Sequence, residues 1–106
     1  MTDFSINEMQ AMQQQLQAKY AHKWEPICPE IGQNKLLWMI GEIGEVIDLI
    51  KKHGYEKAMT EKRSDLVEEM ADVLMYFNDI MLCYGITEDE LKQAYTEKFQ
   101  KNMNRW

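Results

Sequence analysis

The sequence predicts an all-α fold, arranged as a four-helix bundle. Three observations carry that prediction. Apolar residues recur every three or four positions along four separate stretches, which is the spacing of amphipathic helices. No segment alternates polar and apolar residues with the period of two that a half-buried strand needs. Helix breakers are scarce: the 106 residues hold two Pro and five Gly, and both prolines fall within Trp24–Gly32.

The first helix opens at Ser5, with Glu8 three residues later as a capping box. Met9, Met12, Leu16 and Tyr20 form its apolar stripe, and it should end near Lys23. Trp24–Gly32, with Pro26 and Pro29, reads as an irregular connection. The second helix starts within Glu30–Asn34 and runs to His53, with a wide apolar band from Leu36 to Ile50. Lys51, Lys52 and His53 suit the negative end of its dipole, and Gly54 suits the residue that closes it. Gly54–Met59 is a short connector. The third helix starts within Thr60–Ser64 and stops at Gly85. Thr87 and Glu90 make a second capping box that opens a fourth helix through Leu91, Tyr95, Phe99 and Met103. The second and third helices are apolar over more than a narrow stripe, so part of each band is expected at a subunit interface.

Composition narrows the function. The length fits a single domain, residues 1–106. Twelve basic against 18 acidic residues give a net charge of −6, which argues against a polynucleotide binder, because phosphate neutralisation needs a basic footprint. A nucleotide remains open, since a divalent cation can invert local charge. The longest apolar run, Leu36–Ile40, is five residues, far below the ~20 that span a bilayer. Met1–Gln10 carries Asp3 and Glu8 and lacks the apolar core of a signal peptide. Cys28 and Cys83 form neither a disulfide framework nor a paired zinc motif. These features suggest a soluble, cytoplasmic protein with free thiols and no membrane partner.

The chemistry is concentrated in two carboxylate pairs. Glu42 and Glu45 sit in the apolar band of the second helix, and Glu69 and Asp72 in that of the third. Spacing of i,i+3 puts each pair on one helix face, about 5–6 Å apart. Carboxylates among apolar residues are costly unless paired or metal-bound. Leu36–Ile50 and Leu66–Ile80 contain no Lys or Arg, so a hard divalent cation is the natural counter-charge. Solvated acidic faces yield such pairs by chance, and spacing alone does not choose Glu69 over Glu68. Gly41 and Gly44 flank the first pair inside a helix, where each costs roughly 1 kcal/mol relative to Ala. They are expected to admit a close backbone or ligand.

Gly41-Glu42-Ile43-Gly44-Glu45 followed by Glu69-Met70-Ala71-Asp72, 23 residues on, resembles the EExxE…ExxD signature of the MazG-like nucleoside triphosphate pyrophosphohydrolases. The resemblance runs from about Trp24 to Trp106 and is nearest the single-domain branch that includes dCTP pyrophosphatase. Asn34 and Tyr76 stand where that branch carries an Asn and a Tyr. Lys98 to Trp106 is similar to its closing KxxxNxxR-aromatic element. Gly41 stands where the fuller signature has its first Glu, as it does in that branch.

The resemblance implies a MazG-like four-helix bundle completed as a homodimer or homotetramer. It implies hydrolysis of a (deoxy)nucleoside triphosphate to the monophosphate and pyrophosphate, as nucleotide-pool house-cleaning. It selects Glu42, Glu45, Glu69 and Asp72 as ligands of Mg²⁺, with Mn²⁺ as the alternative; one of these four, first of all a glutamate of the first pair, is expected to accept the water's proton. Lys98 and Arg105 would hold phosphate. Asn34, Trp24, Trp38, Tyr76 and Asn102 would contact the nucleoside, with the Tyr76 hydroxyl crowding the sugar. Where relatives share the pocket between subunits, Gln13, Gln14 and Gln17 of the first helix would reach a neighbour's base. His22 and His53 stand alone. A non-catalytic helical adaptor or regulatory dimer is the competing class, and a dUTP or phosphoribosyl-ATP hydrolase the competing activity.

Overall fold

A computed structural model describes residues 4–105; Asp3 of the N-terminal stretch and Trp106 of the closing element lie outside the described residues. Five helices follow one another: α1 (Ile6–Lys19), α2 (Gly32–His53), α3 (Tyr55–Met59), α4 (Arg63–Cys83) and α5 (Glu88–Met103). No strand occurs among the described residues. Among the described residues no helix is long and apolar enough to cross a membrane.

Both expected caps are present. Ser5 Oγ accepts from the Glu8 N–H at 3.2 Å. Thr87 and Glu90 exchange side-chain and backbone bonds at the start of α5. The first helix is shorter than its periodicity implies, ending at Lys19 rather than near Lys23. Tyr20 leaves helical geometry, its carbonyl accepts from the N–H groups of Lys23 and Trp24 at 2.9 and 2.8 Å, and its ring stacks on Trp24 with centroids 4.7 Å apart. The tight turn and the ring stack replace the last helical turn.

A single 3₁₀ turn, Pro29–Ile31, leads into α2. Gly32 begins that helix against the end of α4, where a Cβ would collide with the Tyr84 ring. Gly54 closes α2 with φ +82, a conformation in which glycine carries no Cβ penalty. The short connector that follows is itself helical. It holds α3, whose Ala58 is buried between α2 and α4. The end of α4 is a Schellman motif around Gly85: Ile86 N donates to Met81 O at 2.8 Å, and Gly85 N to Leu82 O at 3.3 Å.

The α2–α4 pair forms the body, with α1 laid on α4 and α3 bracing one end. The deepest residues cluster in the last turns of α4, from Asn78 to Cys83. α5 packs lengthwise against none of the other helices. It is tied at its start, where Asn7 N donates to Glu88 Oε1 at 3.3 Å. The radius of gyration is accordingly 16.2 Å, against about 13 Å for a compact chain of this size. The accessible surface is 8354 Å², where a folded 12.6 kDa monomer exposes about 6200 Å². The excess is apolar in large part: Leu37, Ile40 and Ile47 on α2, Val67 and Met70 on α4, and Tyr95, Phe99 and Met103 on α5 are all more than half exposed. Within the chain, therefore, the fourth long helix does not close the bundle.

Candidate active site

Two helices run side by side in opposite directions, and a seven-residue interval recurs on each. On α2, Lys35, Trp38 and Glu42 follow one face; on α4, so do Asp79, Tyr76 and Asp72. Seven residues are two turns, or about 10 Å of rise. Glu42 therefore meets Asp72 at one end, and Lys35 meets Asp79 at the other. Between them lies a cavity of about 360 Å³, with Gln13, Trp24, Trp38 and Tyr76 among its walls.

At the first end, Glu42, Glu69 and Asp72 bring one carboxylate oxygen each to within 4.8 Å of one another. All three side chains are half-buried. Partial burial, with Asp72 and Glu45 close by, holds the Glu42 carboxyl above its ordinary range. Glu69 is raised for the same reasons: burial first, then Glu45, Asp72, Glu42 and Glu68. Glu45 stands on the exposed edge of this group and contributes charge to it. Every charge that perturbs the two glutamates is another carboxylate, so the donor set is all-oxygen and uncompensated by a basic side chain. It suits a hard divalent cation with oxygen ligands.

At the second end, Lys35 Nζ lies 3.5 Å from Asp79 Oδ2, with both side chains closed off from solvent. Gln13 Nε2 donates to Asp79 Oδ1 at 2.8 Å. Sequence reading missed this network. Lys35 falls one residue before the cation-free segment, and it pairs with Asp79 rather than with the glutamates. Gln13 turns into the cavity of its own chain, not towards a neighbour. The signal that could have found it is the matching seven-residue interval on the two helices.

The chain belongs to the MazG nucleotide pyrophosphohydrolase family. The model of that domain matches residues 32–105, more than two-thirds of the chain. No curated protein and no solved structure matches. The protein is thus a hydrolase acting on anhydride bonds of a nucleoside triphosphate, and the non-catalytic adaptor reading falls. The matched MazG region starts at Gly32, so Trp24 and Gln13 lie before it.

The remaining candidates of the MazG site divide. Trp24, Trp38 and Tyr76 line the cavity. Burial, then Glu42, Asp79 and Asp72, hold the Tyr76 hydroxyl above its usual value, which keeps it protonated. Asn34 is exposed and donates at 3.1 Å to Glu25 Oε2, and Glu25, not Asn34, reaches the cavity wall. Lys98 and Asn102 are exposed on α5, and Arg105 in the turn just after it; α5 does not pack along α2 or α4. Within one chain they do not join the carboxylates. Gly41 and Gly44 admit no close neighbour either: no other part of this chain lies within 4 Å of where their Cβ atoms would stand.

Proposed function

We propose that the protein hydrolyses a (deoxy)nucleoside triphosphate between its α and β phosphates, releasing the monophosphate and pyrophosphate, as a house-cleaning enzyme of the nucleotide pool. The observation that carries this reading is the carboxylate triad of Glu42, Glu69 and Asp72 at the mouth of a cavity with aromatic walls. Those residues, with Glu45 at the edge, would hold Mg²⁺, or alternatively Mn²⁺. A divalent cation bound there would polarise the α-phosphate and neutralise charge that develops on transfer.

The rest is the work of this chain. Glu42 lines the cavity, and as a glutamate of the first pair it accepts the proton of the attacking water. After partial burial, Asp72 and Glu45, as neighbouring like charges, raise its proton affinity in the absence of a cation. Trp24 and Trp38 offer faces for the base, and Tyr76 stands beside the sugar. Lys98 and Arg105 serve the leaving pyrophosphate, which requires α5 to meet the site of a second subunit. A homodimer or homotetramer would bring this about while covering the apolar surface left open on α2, α4 and α5.

The test is product analysis with canonical and modified dNTPs and NTPs. Pyrophosphate and monophosphate should appear in equal amounts, with Mg²⁺ present and not with a chelator. Glu42→Ala and Asp72→Ala should each lower turnover at least 100-fold while keeping the helical circular dichroism. Release of orthophosphate, or full activity in either variant, would refute the assignment.

A further inference from the structure

The closed end of the cavity has a role of its own. Gln13, Lys35 and Asp79 line it and are each more than nine-tenths buried. Asp79 uses one carboxylate oxygen for Gln13 Nε2, at 2.8 Å, and the other for Lys35 Nζ, at 3.5 Å. A carboxylate only accepts, so the Gln13 amide must turn its nitrogen to Asp79 and leave Oε1 as a free-standing acceptor. The Lys35 ammonium has three N–H donors, and the ion pair occupies one. Apolar side chains of similar volume would hold the three helices together at least as well as a buried ion pair. The polar network is therefore poorly explained by packing alone.

Its position supplies the explanation. Lys35 and Asp79 stand about 10 Å from Glu42 and Asp72 along their helices, with Trp38 and Tyr76 midway. A nucleotide with its α-phosphate at the carboxylates and its sugar beside Tyr76 lays its base against this end. We infer that Lys35, positioned by Asp79 and Gln13, reads the nucleobase and selects bases that carry an exocyclic carbonyl oxygen. The inference rests on the nucleotide reading of the site. A buried ammonium calls for a strong oxygen acceptor. Guanine, cytosine, thymine and uracil each present one, and adenine presents only ring nitrogens and an amino group. In guanine, thymine and uracil Gln13 Oε1 accepts the ring N–H beside that carbonyl, a donor that adenine lacks. Adenine offers the ammonium only a ring nitrogen in place of a carbonyl oxygen, and a site built around the oxygen acceptor binds it less well.

Two measurements on the full chain separate this inference from the one beneath it. The first is binding of dAMP, dCMP, dGMP and dTMP in metal-free buffer, followed by tryptophan fluorescence. The second is pyrophosphate release from the matching triphosphates with Mg²⁺. In wild type, dAMP should bind about tenfold or more weakly than the best of the other three. Lys35→Met combined with Asp79→Leu removes both charges at similar volume, and Gln13→Leu is the smaller change. Each should weaken the preferred base about tenfold and leave dAMP nearly unchanged, so that the preference collapses. Adenine bound as well as the others in wild type, or a preference unchanged in both variants, overturns the inference. Pyrophosphate release with no base discrimination would leave the proposed activity standing and this inference refuted. Base-selective binding without pyrophosphate release would do the reverse.

Discussion

Glu42 on α2 and Glu69 on α4 bring carboxylate oxygens to within 4.8 Å of each other, where partial burial acts on them first and the only charges that add to it are further carboxylates. Both carboxyls sit above their ordinary value of 4.5 in the folded protein. The sign of the consequence follows. A group whose folded pKa is raised stabilises fully below its unfolded pKa, and that contribution is lost as pH rises through the folded value. In metal-free buffer Glu42→Gln should therefore match wild type near pH 4 and melt higher at pH 7. Thermal melting across that range with a chelator checks it. A Glu42→Gln protein that melts lower at pH 7 would be incompatible with the crowding.

Cation binding should reverse that order. At neutral pH, Mg²⁺ at 100 times its Kd stabilises a folded protein by about 2.7 kcal/mol. Wild type should gain most of this, and Asp72→Asn little. Melting with and without millimolar Mg²⁺ measures the difference. Equal shifts in the two proteins would place the cation elsewhere.

The two thiols should behave differently. Cys83 is buried at 3% exposure, and that burial pushes its thiol up, with Lys35 opposing only in part. Cys28 is half-buried in the loop before α2. A thiol reagent at pH 8 should titrate one group in the native protein and two after unfolding. Two fast-reacting groups in the native state would contradict the packing of α4.

Gly41 and Gly44 give a test of what surrounds the chain. Ala is favoured over Gly in a helix interior by about 0.8–1 kcal/mol, and this chain places nothing against either position. If the space is empty, each Gly→Ala change should raise the melting temperature. A lowered one would mean that a second subunit occupies it.

The open apolar surface makes the matching prediction. Ile40, 61% exposed on α2, should become a subunit contact in the assembled enzyme. Ile40→Glu should then shift sedimentation to the monomer. An unchanged oligomer would move the interface to another face.

Much of this was written locally in the chain. The carboxylates of α2 and α4 announce themselves because i,i+3 acids inside an apolar band are physically expensive, and both caps rest on side chains within three residues of their targets. The Lys35–Asp79 pair was not legible, because it depends on the register between two helices that are far apart in sequence. The early end of α1 depends on Tyr20 and Trp24 stacking across a turn, which periodicity does not report. The stripe Leu91–Tyr95–Phe99–Met103 says that α5 has a face to bury. It does not say in which subunit the burial occurs.

That separated helix carries a last consequence. α5 has 16 residues and is tied to the body at its start through Glu88, and a helix of about that length with so little tertiary packing is marginal in water. Its capping box holds one end only. In a lone subunit its backbone amides should exchange with deuterium almost as fast as in an unfolded chain, while those of Asn78–Cys83 wait for global opening. The order of α5 then becomes a function of protein concentration. If a second subunit orders α5, dilution should melt the segment that carries Lys98 before it disturbs the carboxylates of α2 and α4, so the proposed phosphate contacts should fail first and the proposed cation site last.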